Sequence, residues 1–381
     1  MSSLADTSAR VSVAPVLIAG ALGQLGSFLL PYTLSAMADA LSGHEDWASY
    51  LIASELAMLS ATTALVSWRL PTLSIRTVSA LAILSIAGGQ LASMEAHGFL
   101  PLLTARICAG FGEGVLLAVA YALIAAGPRA PRDFSMLTFL VTLSAGVALL
   151  TVPILTPYIG MRGAFVPQLA GAAIAILGVS RIPRRAQAAP QRADQNWGGN
   201  RAFHLLLAIL LISLGSNTLW EFAGQFSTQV GLPPAHFALL AVVSTFVALG
   251  AGPMVYWARL RAGGYLPAVG AIAVQIVAAL IFSNAKTRLP FIAAVLVLNF
   301  MIVFIMPFLR TNLADLDRSG RAAGLSATAD NLGTVIGPGV AGLILSLGAG
   351  HSGVGVLATF AFLLAWLAAA LARRPNRGAT P

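Results

Sequence analysis

Residues 181–201, RIPRRAQAAPQRADQNWGGNR, form the only long polar stretch in a chain of 381 residues. Rich in Arg, Gln, Ala and Pro, the stretch reads as a flexible linker. On either side of it, apolar runs of about 20 residues recur, the length a helix needs to cross a hydrocarbon core ~30 Å thick. Working outward, the runs fall at 13–40, 47–68, 76–95, 99–126, 134–158 and 163–180 before the linker. After it they fall at 203–230, 235–257, 265–284, 289–309, 324–347 and 353–372. The expected fold is an all-α polytopic membrane protein of twelve transmembrane helices in two pseudo-symmetric six-helix bundles. Its parts are 1–180, a cytoplasmic linker at 181–202, and 203–381.

Charge gives the orientation. With the twelve runs laid across a membrane, 18 of the 22 Lys and Arg residues share the side that holds the linker. They are Arg10, Arg69, Arg76, Arg129, Arg132, Arg181, Arg184, Arg185, Arg192, Arg201, Arg259, Arg261, Arg310, Arg318, Arg321, Arg373, Arg374 and Arg377. The opposite loops carry Arg162, Lys286 and Arg288, and Arg106 lies inside the fourth run. Positive charge is retained on the cytoplasmic side, so both termini are expected in the cytoplasm and the chain in the inner membrane.

Composition excludes most other classes. Hydrophobic residues are 58% of the chain and charged residues 9%, against about 25% charged in soluble domains. The net charge of +9 is spread over short loops, where topology and anionic headgroups account for it; no compact patch is left for nucleic acid. A single cysteine, Cys108, allows no intrachain disulfide. The apolar run after Val13 has no small-residue cleavage signature and reads as a retained helix. Four of the five histidines, His44, His97, His236 and His351, fall on the outer side without metal-ligand spacing. No metal, cofactor or ATP site is expected, since the glycine-rich stretches have neither Lys nor Walker spacing.

The halves echo each other. Trp68-Arg69 closes the second run and Trp257-Ala258-Arg259 the eighth; Pro153 and Pro157 break the fifth, Gly337-Pro338-Gly339 the eleventh. Parallel six-helix repeats around a midplane site are a recurrent transporter plan. Arg106-Ile107-Cys108-Ala109-Gly110-Phe111-Gly112-Glu113-Gly114 resembles the fourth-helix signature of the major facilitator superfamily. Its Glu113 is similar to a narrower pattern in organic anion:cation symporters and spinster-type lipid transporters. Asp317-Arg318-Ser319-Gly320-Arg321-Ala322-Ala323-Gly324 resembles the loop entering helix 11 in bacterial members. The helix 2–3 loop departs from the family pattern: Trp68 to Arg76 has neither the Asp nor the glycines of the usual gate motif, leaving Arg69 and Arg76 to keep part of its role.

Charges within the bilayer are the sharpest site signal, each costing about 2.5–3.5 kcal/mol at a helix centre on insertion scales. Arg106 and Glu113 stand two turns apart on nearly one face, with Gly110 between them. A carboxylate beside an arginine can alternate between an ion pair and a neutral acid. The resemblance also implies proton coupling for Glu113, with Arg106 holding that Glu or an anionic substrate. Asn217, Glu221 and Gln225 are spaced as one helical stripe, flanked by Trp220 and Phe222. The resemblance implies that helices 1, 4, 7 and 10 line the cavity, which makes this stripe substrate-binding together with Gln24 and Asn299. Glu55 is placed to complete a charge triad with Arg106 and Glu113 or to reach the outer interface. Asp330 is placed to pair with Arg69 or Arg76 across the cytoplasmic mouth.

The expected function is proton-coupled secondary transport of a small amphipathic organic solute, with organic anions favoured, by alternating access. The alternative is proton-driven efflux of drugs or metabolites, cations included, with Glu113 and Glu221 receiving the cation; lipid or lysolipid transport ranks third. An enzyme or sensor is disfavoured, because no nucleophile or His/Asp cluster sits near an interface. Partners are a small molecule, a proton and membrane lipids; the chain is expected to act as a monomer.

Overall fold

The computed structural model describes residues 13–41, 45–184, 199–317, 321–348 and 350–372. The linker centre with Arg185 and Arg192, and also Arg10, His44, Arg318, Arg373, Arg374 and Arg377, lie outside the described residues. Among the described residues the chain forms α-helices and short 3-10 turns without a strand. The first half holds α1 (Ala14–Ala40), α2 (Glu45–Arg69), α3 (Ile75–Glu95), α4 (Phe99–Ala126), α5 (Ala130–Ile159) and α6 (Val166–Gly178). The second holds α7 (Gly199–Glu221), α8 (Ala223–Gln229), α9 (Pro234–Ala248), α10 (Ala251–Ala262), α11 (Leu266–Asn284), α12 (Arg288–Leu316), α13 (Arg321–Ser346) and α14 (Gly350–Ala372).

Ten segments are individually long and apolar enough to cross a membrane. The other two of the twelve spans are α1, bent by 64° between Ala14–Leu30 and Tyr32–Ala40, and α13, whose 26 residues include Asp330. The chain is therefore a multi-pass membrane protein. Five helices, α1, α5, α6, α9 and α11, have proline at their first or second position, where the missing N–H costs no hydrogen bond. Gly160 (φ 64°) and Gly263 (φ 74°) end α5 and α10 in a backbone conformation that favours glycine.

Two expectations about breaks are corrected. Helix α5 continues through Pro153 and Pro157, and α13 through Pro338. The interruptions fall instead in the seventh span, at Phe222 between α7 and α8, and in the eighth, at Leu249–Gly250 between α9 and α10. The end of the tenth span is also corrected. Helix α12 runs to Leu316, so Arg310 is a buried intrahelical residue and not a loop cation.

Helix α4 is the axis of the first bundle, buried on nearly all sides in its second half. Small residues make that possible. A methyl group added at Gly110 would collide with the carbonyl oxygen of Glu55, and one at Gly112 or Gly114 would run into α3 or α2. These glycines admit neighbouring backbones, so Gly110 leaves no gap for a solute. In the second bundle Gly333 and Gly337 of α13 bring the same closeness to α7, and small residues are the usual means of close approach in membranes.

The end of the molecule where α6 meets the linker is the linker face; the other end is the far face. Near the linker face the bundles share one apolar cluster, with Ala314, Ala323 and Ala327 of the second bundle buried among Val16, Leu59, Tyr121 and Leu137 of the first. Gly324 of α13 lies against Ser67 of α2, and the Thr328 hydroxyl donates to the Ser60 carbonyl at 3.5 Å. Closer to mid-depth, Gly146 of α5 faces the Phe246 ring of α9, which a methyl group added at Gly146 would meet at 3.3 Å. All of these joining contacts lie between mid-depth and the linker face.

Candidate functional site

Two polar clusters stand within the spans. The first is inside the first bundle and centres on Arg106, fully buried at 0% exposure on α4. Its Nη1 donates to both Glu55 carboxylate oxygens, at 3.3 and 3.5 Å. Its Nη2 donates to Ser93 Oγ at 2.6 Å, Gln90 Oε1 at 3.0 Å and the Gly89 carbonyl at 3.2 Å. Nε donates to Ser93 Oγ at 3.1 Å, and the Phe165 ring lies 5.2 Å from the guanidinium carbon. Every nitrogen of Arg106 is thus engaged within one bundle.

Glu113 does not pair directly with Arg106. Its carboxylate accepts a hydrogen bond from Gln168 Nε2 at 2.5 Å. Gln168 Oε1 in turn accepts from Gln90 Nε2 at 2.5 Å, and Gln90 Oε1 accepts from Arg106. The triad expected from sequence therefore exists as an extended chain, Glu55–Arg106–Gln90–Gln168–Glu113, with two amides between the guanidinium and the second carboxylate. Both carboxylates are sealed, Glu55 at 3% and Glu113 at 1% exposure. Helix α1 meets the chain with bare backbone, since a methyl group on Gly26 would collide with Glu113 Oε1 and come within 2.7 Å of Gln168 Nε2. A cavity of about 430 Å³, lined in part by Asp39, Ser93, His97, Arg162 and Phe165, adjoins the cluster; Ser93 and Phe165 touch both the cavity and Arg106.

The second cluster is shared between bundles. Arg310 of α12 is 4% exposed and donates through Nη2 to Asp330 Oδ2 of α13 at 2.6 Å. Ser213 of α7 donates to the other Asp330 oxygen. From the first bundle, Gln24 Nε2 approaches Asp330 at 3.5 Å. Tyr121 donates its hydroxyl to Gln24 Oε1 at 3.0 Å and places its ring 4.6 Å from the guanidinium carbon of Arg310. The expected partners of Asp330 are corrected here: Arg69 is exposed, and Arg76 Nε donates to the Ile182 carbonyl at 2.9 Å, tying α3 to the end of α6. Asp330 stands about two and a half turns inside α13, beyond reach of those loop arginines, and Arg310 is its partner.

The remaining candidates are scattered. Asn217 bonds the Ser213 carbonyl at 2.8 Å and Thr334 Oγ1 at 3.1 Å. Asn299 donates to Ser244 Oγ of α9 at 2.9 Å. Gln225 Oε1 lies 2.7 Å from His351 Nε2. The expected stripe of Asn217, Glu221 and Gln225 is interrupted, because Glu221 ends α7 and Gln225 belongs to α8. Glu221 and Trp220 are exposed, Trp220 at 40%.

Arg310, Tyr121, Gln90, Gln168, Ser93 and Ser213 escaped the sequence reading. For Arg310 a signal was available: every residue from Phe304 to Ala314 is buried, and the helical pattern does not stop at the charge.

No family model and no curated protein matches this sequence. Solved structures do. The chain is similar to the major facilitator superfamily transporter FucP in its outward conformation, with TM-score 0.77 and 13% identity over 95% of this chain and 99% of that one. It has the major facilitator fold. The human organic anion transporter MFSD10 matches with TM-score 0.77 and 16% identity over 94% of this chain and 99% of that one. The proton:xylose symporter XylE matches with TM-score 0.75 and 13% identity over 94% of each chain.

Proposed function

We propose that this chain is a proton-coupled secondary transporter of a small amphipathic organic solute, organic anions being favoured, and that it works by rocking of its two bundles. The observation that carries the reading is a charge imbalance in the first bundle. Glu55, Glu113 and Arg106 are all sealed from solvent, so two carboxylates face one guanidinium. An uncompensated buried charge costs several kcal/mol, and the cluster is neutral only when one carboxyl holds a proton. The amides of Gln90 and Gln168 bind the second carboxylate to the ion pair, so a change of protonation at one end reorganises the other. The cavity that touches Ser93 and Phe165 gives water, and hence protons, an approach from one side.

In this reading the linker face is cytoplasmic, as the arginine distribution of the loops favours, and the membrane is the inner one. The closed contacts near that face then belong to an outward-facing state. The neighbours support the same class: FucP is named as a fucose:proton symporter of E. coli and MFSD10 as an organic anion transporter.

The test is proton movement in proteoliposomes loaded with a pH dye, on adding organic anions or lipophilic cations. Anion-triggered proton flux that disappears in Glu113→Gln is the expected result. Solute flux that is unchanged in Glu113→Gln and after collapse of the pH gradient would reject proton coupling. A second reading, efflux of cations, has one observation in its favour: Glu221 is an exposed carboxylate beside an exposed Trp220. Proton release in response to cations alone, lost in Glu221→Gln, selects it.

A further inference from the structure

We infer that Arg310 is the residue that receives the anionic group of the solute, and that Asp330 occupies its place while the linker face is closed. The inference deepens the transport reading and rests on it. Recognition of an organic anion within the spans calls for a buried cation with donors to spare. Arg106 has none, because each of its nitrogens already has an acceptor inside one bundle.

Arg310 is different. It is nearly as deeply buried, but its carboxylate contact runs through Nη2 alone, and its Nε has no hydrogen-bond acceptor among the described residues. A guanidinium presents a planar fork suited to two oxygens at once. A buried donor without an acceptor carries the desolvation cost of that group unrepaid. The pair is therefore under-satisfied in a way that a second, better-placed carboxylate corrects. The Tyr121 ring beside the guanidinium supplies an apolar, electron-rich wall for the cation and for the body of an amphipathic anion.

Position gives the site its consequence. Asp330 is held by donors from both bundles, Arg310 and Ser213 on one side and Gln24 on the other. An anion that displaces Asp330 from Arg310 also removes the fixed acceptor that Gln24 meets across the bundle boundary. Binding and release of the linker-face contact then become one event, which is the differential interaction that alternating access requires. The ligand class is a monocarboxylate or a similar two-oxygen anion attached to an apolar group.

The experiment uses the purified full chain and thermal unfolding with benzoate, hexanoate and gluconate, with benzyltrimethylammonium as the cation control. At least one carboxylate is expected to raise Tm, and the cation is not. Asp330→Asn removes the internal competitor and should lower the half-saturating concentration of that carboxylate about tenfold. Arg310→Gln should abolish the response. Should Arg310→Gln fail to fold, Arg310→Lys, which keeps the charge but loses the fork, should weaken the response several-fold. No response to any of the three carboxylates in wild type and in Asp330→Asn overturns the proposal. So does a response that Arg310→Lys leaves unchanged, or one that Asp330→Asn weakens. Failure here is separable from failure of the transport reading. Proton flux with cations and no carboxylate binding removes the site and leaves transport; carboxylate binding through Arg310 without flux of any solute does the reverse.

Discussion

Arg106 and Arg310 are both buried guanidiniums on long helices, each beside one carboxylate, and the two halves of the molecule treat them in opposite ways. The first bundle closes around Arg106 of α4 with acceptors from α2 and α3 and an aromatic ring following α5. That cluster lies wholly within one bundle. The cluster at Arg310 draws on α12, α13 and α7 from one bundle and α1 and α4 from the other. In the proposed cycle, rocking one bundle against the other leaves the first network intact and, in the second, parts Gln24 from Asp330 and Tyr121 from Arg310. A saturated network suits storage of a proton, whereas an under-satisfied network at a moving boundary suits exchange of a ligand.

The comparison is most sharply broken at Glu113. Glu113→Gln keeps the shape of the side chain and still offers an oxygen to the Gln168 amide. It removes the ionisable group, so the cluster stays neutral at every step. Proton-driven accumulation in proteoliposomes should fall by about 100-fold or more, within the range set by losing a required charge interaction of ~3 kcal/mol, while Tm moves little. A Glu113→Gln variant that still accumulates solute when driven by a pH gradient would place coupling elsewhere, with Asp330 the next residue to test.

Stability separates the two arginines next. Arg106→Met leaves Glu55 as a buried carboxylate without its cation and strips donors from Gln90 and Ser93. Breaking a buried pair in this way costs about 3–5 kcal/mol, and the expected outcome is poor folding yield and a Tm drop well beyond that of Arg310→Met. Asp330 keeps donors from Ser213 and Gln24 when Arg310 is lost, so the second substitution is milder. Equal losses in the two variants would mean that Arg310 is as structural as Arg106.

The closeness of α2 and α4 gives the following test. Gly110→Ala places a methyl group against the Glu55 carbonyl, and overpacking of this kind costs about 1–3 kcal/mol. Because Glu55 moves with its backbone, the Arg106 pair should loosen as well. Gly270, with open space around it, is the control: Gly270→Ala should leave Tm unchanged or slightly raised.

Much of this architecture is legible in the sequence. The fourth span was expected at 99–126 and α4 is Phe99–Ala126, because apolar length and glycine spacing are local properties. The depth of Glu55 likewise put it at the level of Arg106. Pairing was harder to read. Gln90 and Gln168 are neutral amides in apolar helices, and only the rotation of α3 and α6 about their axes reveals that they join Arg106 to Glu113. In sequence, a charge that ends the apolar run marks Arg310 as a loop residue, whereas the helix continues for six residues beyond it. With Arg310 placed there, the sequence offers Asp330 only Arg69 and Arg76 as partners. The break at Phe222 has neither proline nor glycine at that position, so no local signal marked where the stripe of Asn217, Glu221 and Gln225 would be divided.

The smallest expected effect is the most specific to the boundary cluster. Tyr121 contributes two separable things: a hydroxyl that donates to Gln24 Oε1 and a ring beside Arg310. Tyr121→Phe removes only the first. Gln24 then loses one donor while its own approach to Asp330 at 3.5 Å remains, so Tm should fall by an amount corresponding to about 1 kcal/mol or less, and carboxylate binding should persist. Tyr121→Leu removes the ring as well, and with it a cation–π contact of about 0.5–2 kcal/mol in a desolvated setting. The carboxylate response should then weaken several-fold beyond that of Tyr121→Phe. The same pair of substitutions should leave the proton step proposed for the first bundle untouched, since none of the hydrogen bonds from Glu55 to Glu113 runs through Tyr121. If Tyr121→Phe alone removes the carboxylate response, the hydroxyl and not the ring face is the recognition element, and the ligand meets the boundary at Gln24 before it meets Arg310.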